Sequence, residues 1–99
     1  MIDLTETHYH IVQAILSRYL PPHYRAWTFG SRVKGTARQY SNLNLAIISE
    51  TPLDLTTLTL LENAFSDSDL PFIVDIVDWA SCDRVFQQII QQNYQEIPF

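Results

Sequence analysis

The segment Thr28–Ile47, TFGSRVKGTARQYSNLNLAI, decides how the rest of the chain is read. It leaves a strand-like run at Phe29, breaks at Gly30-Ser31, gathers Arg32, Lys34 and Arg38, and ends with Asn42 and Asn44 alternating with Leu43, Leu45 and Ile47. Alternation with a period of two predicts a strand. Its leucines and isoleucine would face a core, and both asparagines would share the opposite face, about 7 Å apart. Glycine at the break lets the backbone approach a ligand closely, and amides exposed at a helix start attract phosphate. The Ser31 hydroxyl adds a donor, and Arg32 and Lys34 follow closely enough to reach the same anion. The segment is not a Walker loop, because Thr36 follows Gly35 where that motif requires Lys and then Ser or Thr.

Working outward, Ile11, Val12, Ile15, Leu16, Tyr19 and Leu20 recur at helical spacing after Thr5, and Pro21-Pro22 ends that helix. YRAWTF reads as a short strand that stops at Gly30. Thr51-Pro52-Leu53-Asp54 has the chemistry of a helix start, with Thr51 as cap and Asp54 at the positive end. The helix that follows carries Leu53, Leu60, Leu61, Ala64 and Phe65 inward. SDSD turns the chain into the strand PFIVDIVDW, and Ser81 is placed to cap a last helix with Val85, Phe86, Ile89 and Ile90 on its apolar face. The expected order is α-β-α-β-α-β-α, one α/β (α+β) domain over residues 1–99 with helices packed on a small sheet.

Composition agrees with a folded domain: 46% of residues are hydrophobic, enough for one modest core in 99 residues. No apolar run approaches the roughly 20 residues of a membrane span, and the polar N-terminus MIDLTETHYH does not serve as a signal peptide. A single cysteine, Cys82, allows no internal disulfide, which points to a reducing cytoplasm. The net charge of −5 is unevenly placed. Residues 7–49 hold no Asp or Glu, yet contain Arg18, Arg25, Arg32, Lys34 and Arg38. A domain that grips long nucleic acid is usually basic throughout, whereas a local basic patch on an acidic domain suits a small phosphorylated ligand.

Asp75 stands in IVDIVDW, flanked by apolar residues, and a charge in such a strand calls for a metal, a catalytic proton or an ion pair. Asp78, nearer the strand end, reads as a cap or surface acid. Together these residues resemble the signature of minimal nucleotidyltransferases of the DNA polymerase beta superfamily: a hydrophobic residue, Gly-Ser, about ten residues, then Asp-x-Asp between hydrophobics. Here ten residues, Arg32–Ser41, separate Ser31 from Asn42, and Asp75 occupies the place of the third carboxylate. The resemblance implies a polymerase-beta-like palm with a small mixed sheet. It also implies Mg2+ at positions 42, 44 and 75, and ATP cradled by Gly30, Ser31, Arg32 and Lys34. Relatives of this kind are small subunits encoded beside a HEPN-type or similar helical partner, and several are antitoxins that transfer AMP from ATP to that partner. Self-association is compatible with the resemblance.

The departure lies in Asn42 and Asn44, where the family has aspartates. Asparagine keeps the shape of aspartate but exchanges one carboxylate oxygen for an NH2 donor and removes a charge. Magnesium favours carboxylate oxygens, so this form is expected to be catalytically dead or nearly so. Two isosteric changes confined to the metal positions, with Gly30, Ser31 and Asp75 spared, favour purposeful replacement over drift. The contrasting function is a non-catalytic module that neutralises a partner by contact, with or without nucleotide. A purely structural domain leaves Asp75 and the Gly-Ser turn unexplained.

Overall fold

Hydrophobic residues at helical spacing place the first helix, α1, at Glu6–Tyr19, with Val12 and Leu16 fully buried one turn apart. A computed structural model describes residues 2–38 and 40–99. The Thr5 hydroxyl accepts the His8 N–H at 3.2 Å, satisfying one of the amides that a helix start leaves without an intrahelical partner. Leu20 closes the other end, just before the two prolines.

The chain then forms β1 (Arg25–Phe29), a single helical turn α2 (Ser31–Lys34), and β2 (Leu43–Ile48). β1 and β2 pair antiparallel, from Arg25 opposite Ile48 to Phe29 opposite Asn44. Helix α3 (Leu55–Ser66) crosses over to β3 (Val74–Asp78), which runs parallel to β2 with Asn44 opposite Asp75. A 3-10 turn at Trp79–Ser81 leads to α4 (Arg84–Gln92) and to β4 (Tyr94–Glu96), antiparallel to β1. The sheet is therefore mixed, in the order β3-β2-β1-β4.

Strand alternation divides the sheet into two faces. On one face Ala26, Leu43, Leu45 and Ile47 join Val12, Leu16, Leu61, Phe65 and Ile97 in the main core under α1 and α3. The other face carries Trp27, Phe29, Asn44, Ala46 and Asp75. There the Trp27 ring stacks on Tyr94 at 4.0 Å and meets Trp79 edge-on at 5.3 Å, while Phe86 of α4 meets Phe29 edge-on at 6.0 Å.

Several boundaries differ from the sequence expectation. Asp54, not Thr51, caps α3 by accepting the Thr57 N–H, and Asp83, not Ser81, caps α4 by accepting the Phe86 N–H. In both cases a carboxylate sits three residues before the donor, the spacing that closes a cap. The third strand is confined to Val74–Asp78, because Pro71 and Phe72 lie in the turn leading into it. β4 was not expected at all: three residues of mixed polarity give no periodicity to read. Leu60 faces solvent rather than the core, and on α4 only Ile90 is buried, with Val85 67% and Ile89 53% exposed.

Asp78 serves as a staple rather than a surface acid. Its Oδ2 accepts the Leu53 N–H at 3.0 Å and the Ser81 hydroxyl at 2.8 Å, fastening the lead into α3 and the 3-10 turn to the end of β3. Asp78→Ala strands both donors, so the domain should lose about 1–3 kcal/mol and melt roughly 5–15 °C lower. Asp78→Asn, which keeps an accepting oxygen, should lose less. Thermal melts followed by circular dichroism check both.

Candidate functional site

Two glycines bracket the turn after β1. Gly30 has φ +91° and ψ −151°, and Gly35 has φ +78° in the left-handed region. The Gly30 carbonyl accepts the N–H groups of Val33 and Lys34 at 3.1 and 3.0 Å, and Gly35 closes the turn onto the Ser31 carbonyl. A single turn is too short to develop a macrodipole. What it offers an anion is local: the backbone at Gly30, the half-buried Ser31 and the exposed Lys34.

Gly30 is constrained from above as well. A Cβ built on it would lie 2.6 Å from Nδ2 of Asn44, so the turn and the second strand touch through an atom that only glycine leaves room for. Asn44 is half-buried on the second face of β2, and its register partner across the parallel pair is Asp75. Asn42 lies one residue before β2 begins, yet still reaches the same place: its Nδ2 donates to Oδ2 of Asp75 at 2.9 Å. The reverse amide orientation would set two oxygens against each other, so the carboxylate itself dictates which way Asn42 points. Asn42, Asn44 and Asp75 thus converge on one face, next to Gly30.

Asp75 is exposed rather than buried. Its apolar neighbours Val74 and Ile76 point to the other side of an edge strand, so the charge is solvated and, contrary to the sequence expectation, needs no metal, catalytic proton or ion pair to account for it. The donor set does not fit a magnesium ion. Among the described residues no three His, Cys, Asp or Glu side chains are grouped to hold a metal. The single carboxylate present has one oxygen taken up by an amide donor.

Arg32 departs from the expectation that it reaches an anion beside Lys34. It is 5% exposed; its Nε and Nη2 donate to the Ser41 carbonyl at 3.1 and 2.8 Å, and its Nη1 donates to the Asp3 carbonyl at 2.8 Å. Its guanidinium also lies over the Phe72 ring at 4.2 Å. Burial pushes its pKa down, and the nearby Asp3 partly offsets this. The arginine holds Ser41, and with it the approach to Asn42, from the side away from solvent. Sequence spacing gave no hint of this, because Arg32 and Lys34 both follow the turn and only the direction of each side chain separates them.

Arg38, one of the cations of the basic segment, is tied to the residue that precedes Asn42. The Arg38 N–H donates to the Ser41 hydroxyl at 2.8 Å and its carbonyl accepts the Ser41 N–H at 3.1 Å, directly before Asn42. Cys82 takes no part in the site. Burial pushes its thiol pKa up, with Asp78 and Asp83 adding to the effect, so it favours the unreactive thiol form.

The family model for polymerase beta nucleotidyltransferases matches residues 11–97. The probable protein adenylyltransferase MntA of Haemophilus influenzae is 50% identical over 93 residues, covering 94% of this chain and 81% of the relative. A crystal structure of a toxin-antitoxin with AMP-PNP shares the fold with a TM-score of 0.75, at 24% identity, over 90% of this chain and 71% of that one.

Two outcomes test this geometry. Arg32→Lys keeps the charge but loses the planar fork, so it should cost about 2–4 kcal/mol in urea unfolding, whereas Lys34→Ala should stay within about 0.5 kcal/mol. Gly30→Ala should cost about 1–3 kcal/mol from backbone strain and also displace the Asn44 amide. Adding Asn44→Ala would relieve the contact but not the strain, and amide NMR with melting separates the two.

Proposed function

We propose that this chain, which belongs to the polymerase beta nucleotidyltransferase family, is the nucleotide-binding antitoxin of a two-protein system. Its Asn42/Asn44 form does not transfer nucleotide. The observation that carries this reading is the convergence of Asn42, Asn44 and Asp75 beside Gly30 on an open sheet face. It is a transferase frame in which two of three acidic positions are neutral. Gly30, Ser31 and Lys34 would receive the triphosphate, while Arg32 stabilises the frame from within.

With aspartate at both positions, three carboxylates would meet on that face, the donor set that the family's Mg2+ requires. Transfer of AMP from ATP to a hydroxyl would then depend on positioning and charge stabilisation, with Asp75 beside the acceptor. The acceptor is proposed to be a side-chain hydroxyl of a helical partner of HEPN type encoded nearby. The acidic balance of the domain disfavours an acceptor held along a nucleic-acid backbone.

One specific observation favours a second reading, neutralisation by contact alone. Val85, Phe86 and Ile89 on α4 and Tyr94 of β4 are exposed, and Phe86 touches Phe29 at the end of β1, next to the site. A partner seated there would cover the open face whether or not any nucleotide moved.

The deciding experiment compares three forms, each produced with the partner and ATP: this chain, Asn42→Asp/Asn44→Asp, and the same double variant with Asp75→Asn. Intact-mass spectrometry of the partner should show added AMP with the double variant alone. Equal modification by the unaltered chain would overturn its inactivity. Label arriving on RNA instead would overturn the acceptor.

A further inference from the structure

The mismatch between this donor set and a divalent cation leads to an inference that rests on the nucleotide reading above and goes beyond it. We infer that the site takes a nucleoside triphosphate as the metal-free anion, with the Asn42 amide standing against Asp75 where a metal would stand.

A carboxylate trio repels a triphosphate until a cation intervenes, because every ligand-facing group is an acceptor. Here two of the three positions carry no charge. The Asn42 NH2 group is committed to Oδ2 of Asp75 at 2.9 Å, which satisfies one oxygen of the sole carboxylate with a neutral donor. The Asn44 amide packs against the Gly30 backbone and adds no charge to the face. Ser31 and the exposed Lys34 follow on that same turn, and Arg38 lies on the loop that leads directly into Asn42. Hydroxyl and ammonium donors complement phosphate oxygens directly, while the Asn42 amide offsets part of the repulsion from Asp75. A magnesium ion arriving with the nucleotide would find a single carboxylate, already hydrogen-bonded, and would cancel charge that the cations are placed to attract. Metal then contributes nothing to affinity, and the site is served by the free anion.

The test is isothermal titration of ATP into the folded chain, once with EDTA and once with excess Mg2+, alongside Asn42→Asp/Asn44→Asp and Asn42→Ala. For this chain the two affinities should agree within about threefold or favour EDTA, whereas the double variant should bind at least about tenfold more weakly in EDTA and recover with Mg2+. Asn42→Ala uncovers Asp75 without adding charge, so its metal-free affinity should fall about three- to tenfold. Asn42 is exposed, so the fold should survive this change, and melting curves verify it. ATP binding that requires Mg2+ in the unaltered chain would overturn the inference and leave the nucleotide reading intact. No ATP binding in either condition, with the chain folded, would overturn both.

Discussion

The buried guanidinium of Arg32 holds together three segments that are remote in sequence. It bonds the carbonyl of Asp3 ahead of α1 and that of Ser41 ahead of β2, and it lies on the ring of Phe72 ahead of β3. A charged group this far from water is tolerated only when its donors are occupied, and a planar fork can occupy two carbonyls while its face rests on an aromatic ring. The consequence is geometric. The lead-ins to the two strands that carry the site are fixed to each other, independently of any ligand.

The sheet supplies the rest of the positioning. Because β2 and β3 are parallel and in register at Asn44 and Asp75, two candidate side chains stand on neighbouring strands and the same face without any loop having to arrange them. Asn42, outside the strand, depends on the bonds that Arg38 and Arg32 make to Ser41. The strand side is thus set by sheet register and the approach to Asn42 by side-chain hydrogen bonds. Lys34 and Arg38 are both exposed beside it.

The sequence made much of this legible, for identifiable reasons. Leu43, Leu45 and Ile47 alternate strictly, so their burial and the opposite face of Asn44 followed from periodicity, while the place of Asn42, outside the strand, did not. The Gly-Ser turn and the distant Asp75 were legible through spacing and family resemblance, not through propensity. Other features depended on contacts that no local pattern encodes. Arg32 and Lys34 look alike in sequence, and only the position of Phe72 and Ser41 in space draws one of them inward. The caps were misplaced because several candidate residues cluster before each helix, and the choice falls to the one whose oxygen meets the donor three residues on. The α4 pattern predicted an apolar face correctly, but a pattern does not say whether the protein's own core covers that face. Here Ile90 alone is buried.

β4 has an importance out of proportion to its three residues. It occupies the outer edge of β1, where a row of backbone donors and acceptors would otherwise be available to another chain. It is held there by the Tyr94 ring on Trp27 and by the Trp27 indole N–H, which donates to Glu96 at 3.2 Å. Being short, and carrying Gln95 and Glu96, it makes a poor template itself. Loss of those residues would leave the fold's central strands in place but turn RAWTF into an open, aromatic strand edge. β4 thus covers the edge of β1, and its exposed Tyr94, opposite Phe29, also belongs to the apolar surface beside the site.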